Sequence, residues 1–263
     1  MIPRDYITEW RREAPWIEDY LVEQDLVITW AVAEIFSDPV LKRKLAFRGG
    51  TAIHKLYITP AVRFSEDIDL VLVTAERIGP IFNSIRSRLD PILGAPTRDR
   101  SNRSATLKYR FESEDLPSVP LRLKVEINTW EHMNLYGFVK KEFIVDSRWF
   151  QGNAIINTFG LDELLSTKLR ALYQRRKGRD LFDIAYALRH ADIDEERIVN
   201  AFLAYIENQG LHVSQAEFAD NLNEKLKNPL FVADLSPLLR IGVSWDPEAD
   251  GALIMEHLIS RLP

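Results

Sequence analysis

Residues 66–73, from Glu66 to Val73, read EDIDLVLV, and their side-chain pattern is the clearest indication of the fold in this sequence. Polar and apolar side chains alternate in its first half and branched apolar residues fill the rest, which predicts a β-strand. Side chains alternate between the two faces of a sheet, so Asp67 and Asp69 share one face and Ile68 lies on the other. Two neighbouring carboxylates repel each other, so this face requires a proton or a cation.

Later segments of the chain have the same alternation. Ala105–Phe111 and Leu121–Thr129 are predicted to be strands, and Lys141–Val145 is a further candidate. Glu126 lies on the polar face of Leu121–Thr129. If that strand is a neighbour of residues 66–73, Glu126 becomes a third acid beside the aspartate pair.

A glycine turn precedes the acids. Gly49-Gly50-Thr51 leads into a helix predicted over Thr51–Tyr57, with Thr51 at its start. Glycine lets a ligand approach the backbone closely, and the free amides at a helix start bind phosphate oxygens. Three acids beside such a turn suit two-metal nucleotidyl transfer, in which one Mg²⁺ clamps a triphosphate and another activates a hydroxyl. Glu126 is then the candidate general base. The competing interpretation is that Asp-x-Asp is only the exposed face of an edge strand.

A lysine interrupts the apolar stripe of a helix predicted over residues 161–176. Lys168 is four residues from both Leu164 and Leu172, which belong to that stripe. A lysine there must extend to solvent, pair with an acid or face a ligand. Phosphate contact and a structural ion pair are both open. Asp180, near the start of a helix predicted over 179–190, fits either a helix cap or the wall of an active site.

The patterns predict two domains. Residues 4–46 are predicted to be helical, with a last short helix at Val40–Leu45 before a turn over residues 46–50, and the pattern is helical again from Leu161 onward. The linking stretch QGNAIINTFG at 151–160 separates them. We therefore expect an N-terminal domain at 1–155 and a helical C-terminal domain at 156–263, in the α+β class.

Composition excludes several classes of protein. The chain has 263 residues, 46% of them hydrophobic, no cysteine and a net charge of −5. This apolar share supports a packed core, and the absence of cysteine excludes disulfides and thiolate chemistry. The mild acidity argues against coating of nucleic acid by bulk charge. No apolar run is long enough to span a membrane, and MIPRDYITEW contains no apolar signal segment, so we expect a cytoplasmic protein without membrane contact.

Basic residues cluster in the region of the predicted strands. Tyr109 and Trp130 lie within or beside this stretch, so an RNA strand could follow it and stack on exposed rings. The competing interpretation is a solvated face with interspersed acids. The basic residues are Arg98, Arg100, Arg103, Lys108, Arg110, Arg122 and Lys124.

Several motifs together resemble one protein family. The segments FRGGTAIHKL at 47–56 and RFSEDIDL at 63–70 resemble the AbiEii/AbiGii nucleotidyltransferase toxin family. The resemblance continues through VEIN at 125–128, LSTKLRAL at 165–172 and KGRDLFD at 177–183. Each motif is short, but their order and spacing together are specific. One departure is a longer gap between turn and acid pair, where Tyr57–Arg63 extends a loop and leaves the role of Arg63 open.

The resemblance implies a fold and a biological role. It implies a polymerase-β-like nucleotidyltransferase core, a mixed sheet with flanking helices, followed by a helical C-terminal region. It also implies a toxin of a bacterial toxin–antitoxin or abortive-infection system, with a separately encoded antitoxin. Some family members add nucleotides to the 3′ acceptor end of tRNA. The matching positions are Gly49, Gly50 and Thr51 for the nucleotide-binding turn, Asp67, Asp69 and Glu126 for metal, and Lys168 and Asp180 for the later lysine and acid.

The resulting hypothesis is a Mg²⁺-dependent enzyme that transfers a nucleotide from a nucleoside triphosphate to an RNA hydroxyl and thereby blocks translation. Lys168 would offset charge on the triphosphate. Two alternatives stay open from the sequence. The acceptor could be a small molecule or a protein, or the domain could be a scaffold that binds nucleotide without turnover.

Overall fold

The computed structural model describes residues 2–263, which form two compact units. The first unit contains the chain up to Asn134 together with Phe138–Phe159, and the second contains Leu135–Gly137 and Gly160–Pro263. Helices and strands share the first unit, whereas the regular structure of the second is helical. The predicted α+β class is confirmed.

One mixed sheet forms the centre of the first unit. Across residues 2–263 the strands are β1 (Leu45–Arg48), β2 (Asp67–Leu72), β3 (Thr97–Arg100), β4 (Ser104–Glu112), β5 (Pro120–Asn128), β6 (Phe138–Asp146) and β7 (Gln151–Phe159). Their order in the sheet is β3-β4-β5-β2-β1-β7-β6, in which β2 pairs with β5 and β1 pairs with β7 in parallel, while the other neighbours are antiparallel.

Helices of the first unit pack around this sheet. The longest of them, at Asp19–Ser37, is buried along most of its length because it packs against several strands. Asp25 of this helix forms a 2.8 Å ion pair with Lys55 Nζ. This contact holds the helix that follows the glycine turn, to which Lys55 belongs, against the Asp19–Ser37 helix. In the described part of this unit the helices are α1 (Arg4–Trp10), α2 (Asp19–Ser37), α3 (Leu41–Lys44), α4 (Gly49–Leu56) and α5 (Ile78–Leu93).

The second unit follows the helical periodicity of its sequence. Its leucine stripe is buried on α6, and a capping box between Ser214 and Glu217 begins α9. The helices predicted over 161–176 and 179–190 are confirmed as α6 and α7. The helices are α6 (Leu161–Gln174), α7 (Gly178–His190), α8 (Glu195–Glu207), α9 (Gln215–Leu226), α10 (Pro229–Ala233) and α11 (Pro247–His257), with 3₁₀ turns at Ser236–Leu238 and Ile259–Arg261.

Three strands differ from the sequence prediction. Leu45–Arg48 is strand β1, whereas we expected a helix ending at Leu45 and then a turn. Four residues are too few to show a period, and pairing with β2 and β7 decides their conformation. Likewise β3 is short and fully exposed, so its sequence has no apolar pattern.

The stretch QGNAIINTFG is also a strand for most of its length. Ala154 and Ile156 are buried between exposed or half-buried neighbours, and Thr158 and Phe159 are both buried. Most of β7 therefore alternates, but its glycine and asparagines are typical of a linker. Because β7 continues through residues 155 and 156, the first compact unit extends to Phe159. Among the helices of residues 2–263, none has both the length and the apolar character needed to cross a membrane.

Candidate active site

Adjacent strands bring the predicted acids together. β2 and β5 run parallel, and their register pairs Asp67 with Lys124 and Asp69 with Glu126. Alternation within each strand then puts the side chains of all four residues on the same face of the sheet. The neighbouring position predicted for Glu126 is therefore confirmed, while its chemical role stays a prediction.

The glycine turn lies directly beside Asp69. Strand β1 is antiparallel to β2 and pairs Arg48 with Asp69, so the turn after Arg48 passes over the acid face. Gly49 has a φ of 80°, and a Cβ placed there would lie 2.3 Å from Asp69 Oδ2. Only glycine permits both this left-handed conformation and this approach. Gly49 is thus the residue that allows the turn and the carboxylate to be neighbours.

The Thr51 side chain holds the turn in place. Thr51 is buried, and its hydroxyl donates to the backbone carbonyl of Asp67 at 2.5 Å and lies 2.8 Å from the Ser65 hydroxyl. Gly49, Gly50 and Thr51 form the first turn of α4, which has no side-chain cap. Amides in a first helical turn have no partner within the helix. Any phosphate contact of Thr51 therefore comes from its amide, because the hydroxyl is already used.

The acid face is short of positive charge. Burial, the largest effect, and the neighbouring Asp69 raise the pKa of Asp67 to about 6, against the opposing effect of Lys124. Asp67 Oδ1 is buried and has no hydrogen-bond partner. An unpaired buried carboxylate oxygen is unfavourable unless a cation or donor reaches it. Asp67 is thus the least satisfied member of the site.

Lys124 contacts two of the candidate acids, although from the sequence we expected it only in the basic stretch. Its Nζ lies 2.5 Å from Glu126 Oε2 and 3.5 Å from Asp67 Oδ2. Although burial lowers it, these carboxylates raise the pKa of Lys124 above its usual value. The signal was present in the sequence, since Lys124 precedes Glu126 by two residues and must share its face.

The carboxylates do not converge into a preassembled metal site. Nowhere in residues 2–263 do three histidine, aspartate or glutamate side chains come together as a group that could hold a metal ion. Instead the ammonium of Lys124 lies between Glu126 and Asp67. A metal ion on this face would have to replace that ammonium as the neutralising charge.

Lys168 belongs to a buried ion network in the second unit. Its Nζ lies 3.0 Å from Asp180 Oδ1 and 2.9 Å from Asp183 Oδ2, and all three side chains are buried. Arg175 adds two contacts to Asp180, at 2.7 and 2.9 Å. Burial alone would raise the pKa of Asp180, but Lys168 and Arg175 outweigh it and hold the pKa below its usual value. Of the two alternatives for Lys168, the structure shows the ion pair.

Of the two aromatic rings expected to stack on nucleic acid, Tyr109 and Trp130, only Trp130 is exposed. Tyr109 is fully buried and donates to Asp90 at 3.0 Å, so the expectation that it could stack on a nucleic acid is wrong. Tyr109 lies two residues from both Leu107 and Phe111 on β4, so all three share the apolar face. This spacing could have predicted its burial. Trp130 is 70% exposed and remains available for stacking.

Comparison with known proteins identifies the family. Residues 30–253 match the model of the nucleotidyl transferase AbiEii toxin, described as belonging to a type IV toxin–antitoxin system. The chain belongs to the AbiEii family. As an AbiEii-family protein it is a nucleotidyltransferase toxin, as the sequence motifs predicted. No curated protein sequence matches the chain.

Solved structures with the same fold include two bacterial proteins. MenT4, a nucleotidyltransferase toxin from Mycobacterium tuberculosis, aligns with a TM-score of 0.62 at 15% identity, over 100% of this chain and 91% of its own. JHP933 from Helicobacter pylori aligns with a TM-score of 0.60 at 18% identity, over 92% of each chain. At these low identities the similarity shows only that the proteins share a fold.

Proposed function

We propose that this enzyme transfers a nucleotide from a nucleoside triphosphate to an RNA hydroxyl in a Mg²⁺-dependent reaction, with the 3′ acceptor end of tRNA as the acceptor. The observation that carries the proposal is the register of β2 and β5, which pairs Asp69 with Glu126 next to Asp67. Family membership supports the reaction class. The metal is inferred from the chemistry of the site, and the acceptor end of tRNA is what the resemblance to the AbiEii family implies.

The donors on the acid face fit Mg²⁺. This ion prefers a few carboxylate oxygens and completes its shell with water and substrate phosphates. Asp67, Asp69 and Glu126 would hold it, and Asp67 offers a buried oxygen without a partner and a pKa of about 6. When bound, Mg²⁺ would neutralise the triphosphate and make the acceptor hydroxyl more acidic.

The turn residues would bind the triphosphate, and Glu126 on β5 would accept the proton of the acceptor hydroxyl. The amides of Gly49, Gly50 and Thr51 bind phosphate oxygens of the triphosphate. The acceptor oxygen forms a bond to the α-phosphorus, while the bond from that phosphorus to the bridging oxygen breaks. Pyrophosphate leaves with the electron pair of the broken bond, and the hydroxyl proton passes to Glu126.

For Lys168 we propose the role that the family resemblance implies, which is to offset charge on the triphosphate. Asp180 then holds its ammonium in place, as their 3.0 Å contact supports. Lys168→Met tests this pairing. A direct role predicts a higher Kd for the triphosphate in the folded variant, whereas a purely structural ion pair predicts lower thermal stability with the Kd unchanged.

Charge around the acids favours a polyanionic acceptor. Across β4 and β5 the register pairs Lys108 with Lys124 and Arg110 with Arg122. Lys108, Arg122 and Lys124 already have acidic partners at Asp99, Glu66 and Glu126. Arg110 is exposed and forms no ion pair among the described residues, so it is the cation of this group left to bind an anion. This surface supports RNA rather than a neutral small molecule.

The biological setting follows from the family. A type IV toxin implies an antitoxin, which we propose is encoded separately. Because triphosphates and tRNA are both available in the bacterial cytoplasm, we propose that the enzyme acts there. A neighbouring gene for a small antitoxin would support this setting.

The test is transfer of label from each α-labelled nucleoside triphosphate, with Mg²⁺, to total RNA, lysate protein or a small-molecule fraction. We expect label in tRNA with the wild type and none with Asp69→Asn. Glu112→Gln is the matched control, because Glu112 is an exposed carboxylate on the same sheet. Label only in protein or small molecules would favour the alternative acceptors, and label in RNA with Asp69→Asn would overturn the site.

A further inference from the structure

An open groove lies beside the carboxyl ends of β2 and β5. Its volume is about 910 Å³. Segments that follow β2 and β5, together with the β3–β4 turn, form its walls. The residues that matter here are Glu76, Arg77, Arg100, Arg103, Thr129 and Trp130.

The groove has a surplus of positive charge. Within residues 2–263, neither Arg77 nor Arg100 nor Arg103 forms an ion pair, and all three are exposed. The only acid on the wall, Glu76, is neutralised by a close contact with Lys44. Three unpaired guanidinium groups in one concavity create a site for an anion with several charges.

Trp130 is held in an exposed position by the backbone around it. The Asn128 Oδ1 atom accepts from the amides of Trp130 and Glu131, each at 2.9 Å, which forms a turn directly after β5. The amide of Thr129 also donates to the carbonyl of Arg103 at 3.0 Å, which ties this turn to the β3–β4 turn. The indole is 70% exposed although its backbone is anchored on both sides.

The groove is close to the acid that faces the acceptor. Thr129 follows Glu126 by three residues and comes directly after the end of β5, at a distance of about 10 Å. The groove is therefore within reach of an acceptor chain whose terminal hydroxyl lies at Glu126. A flat ring beside guanidinium groups suits a chain with a base and a phosphate in each residue, since bases stack on indole and phosphates pair with arginine.

We propose that this groove binds a single-stranded segment of the acceptor RNA next to its reacting end, with one base stacked on Trp130 and phosphates bound by Arg77, Arg100 and Arg103. The proposal rests on the proposed function, because it assigns the RNA acceptor to a specific surface. It adds a binding site whose residues lie outside the acid and glycine motifs.

The first test measures binding of a labelled, short single-stranded oligoribonucleotide to the full chain by fluorescence anisotropy. We expect Trp130→Ala to weaken binding about tenfold and Trp130→Phe to retain most of the affinity. Arg100→Gln combined with Arg103→Gln should reduce the slope of log K against log salt by about 1.4. Arg12→Gln, at another exposed arginine without an ion pair in residues 2–263, should change neither. Equal affinity in wild type and Trp130→Ala would overturn the proposal.

A competing anionic polypeptide separates RNA recognition from simple charge attraction. Polyglutamate should compete weakly, and its binding should not depend on Trp130. If polyglutamate binds as tightly as the RNA and loses affinity to the same extent in Trp130→Ala, the groove recognises an acidic protein and the proposal is wrong.

Steady-state labelling distinguishes failure of the groove from failure of the proposed function. With RNA as acceptor, Trp130→Ala should raise KM for RNA about tenfold and leave KM for the triphosphate unchanged. If RNA is labelled and its KM is unaffected, the groove assignment fails while the function stands. If RNA binding depends on Trp130 but no RNA is labelled, the groove stands and the proposed function fails.

Discussion

Two groups of aspartates in this protein have opposite electrostatics. On β2, Asp67 has a buried oxygen without a partner, and its pKa is raised to about 6. On α7, Asp180 is fully buried but bonded to Lys168 and Arg175, and its pKa is lowered. Both groups combine aspartates with lysine. They differ in whether the protein itself supplies enough positive charge.

The difference indicates what each group does. A buried carboxylate whose charge is already balanced is costly to remove, because its partner would stay buried without it, and a further cation would bring it nothing. A carboxylate left short of positive charge is costly to fold and becomes favourable only when a cation binds. By this criterion we propose the acid face of β2 and β5 as the cation-binding site, whereas Asp180 serves to hold the ammonium of Lys168 in place. Each of the following changes tests one side of this comparison.

The largest expected effect is on the stability of the second unit. Asp180→Asn removes one of the two carboxylate partners of the buried Lys168 and the contacts of the exposed Arg175, which should cost about 3 kcal/mol of the free energy of unfolding at pH 7. Because the pKa of Asp180 is lowered in the folded state, its contribution exists above the unfolded pKa and disappears as pH falls through the folded value.

Urea unfolding of Asp180→Asn at neutral and acid pH measures this effect. Asp220→Asn, an exposed aspartate on α9, is the control and should be neutral. Equal stability of the wild type and Asp180→Asn at pH 7 would show that the network does not support the fold.

The next effect concerns the contact between the glycine turn and Asp69. Gly49→Ala introduces a Cβ 2.3 Å from Asp69 Oδ2 at a φ of 80°. We expect a cost of about 1–2 kcal/mol in stability and about a hundredfold loss of nucleotide transfer, because Asp69 must move. Gly79→Ala, where a Cβ meets nothing within 4 Å, should keep full activity. Full transfer by Gly49→Ala would mean that the position of Asp69 beside the turn is not required.

A smaller change in stability is expected for Asp67→Asn, which should stabilise the protein where Asp180→Asn destabilises it. Its pKa rises from 3.8 to about 6 on folding, so the folded state loses stability relative to the unfolded state as pH increases between these values. The full shift corresponds to about 3 kcal/mol, which is reduced because the Asp67 side chain is 31% exposed. Without metal, Asp67→Asn should therefore be more stable than the wild type by about 1–2 kcal/mol at pH 8 and equal to it at pH 3. Thermal unfolding in chelator at both pH values measures the difference, and a destabilised variant at pH 8 would contradict the charge deficit.

The smallest effect is expected for the lysine between the acids. Lys124→Met removes the ammonium that contacts Glu126 and Asp67, so the metal-free protein should lose about 1 kcal/mol, or a few degrees in Tm. Added Mg²⁺ should restore more of this loss than in the wild type, because the two cations no longer compete. Lys140→Met, at an exposed lysine on β6, should show neither change. No difference between the Mg²⁺ responses of Lys124→Met and wild type would argue against competition.

Much of the fold was predictable because its signals are local. The alternation of Asp67–Leu72 and Pro120–Asn128 and the helical period of the second unit are visible in the sequence. Strands β1 and β7 were not predictable, because four residues show no period and the asparagines of β7 are typical of a linker. Their conformation depends on pairing between segments far apart in the chain.

The grouping of the candidate site residues was easier to predict from the sequence than their side-chain contacts. Sequence parity brought Glu126 to the polar face, but the register that places it opposite Asp69 depends on how β2 and β5 align. The contacts of Lys124, the use of the Thr51 hydroxyl by a backbone carbonyl and the pairing of Lys168 with two aspartates all depend on side-chain packing. Composition and periodicity contain no information on such contacts.

Binding of Mn²⁺, used as a spectroscopic substitute for Mg²⁺, is the most direct test of the claim that the acid face is the cation site. Electron paramagnetic resonance of the full chain with a nucleoside triphosphate should show protein-dependent Mn²⁺ binding in wild type, Glu112→Gln and Asp220→Asn. We predict that Asp69→Asn loses this binding while remaining folded. Undiminished Mn²⁺ binding by folded Asp69→Asn would contradict it.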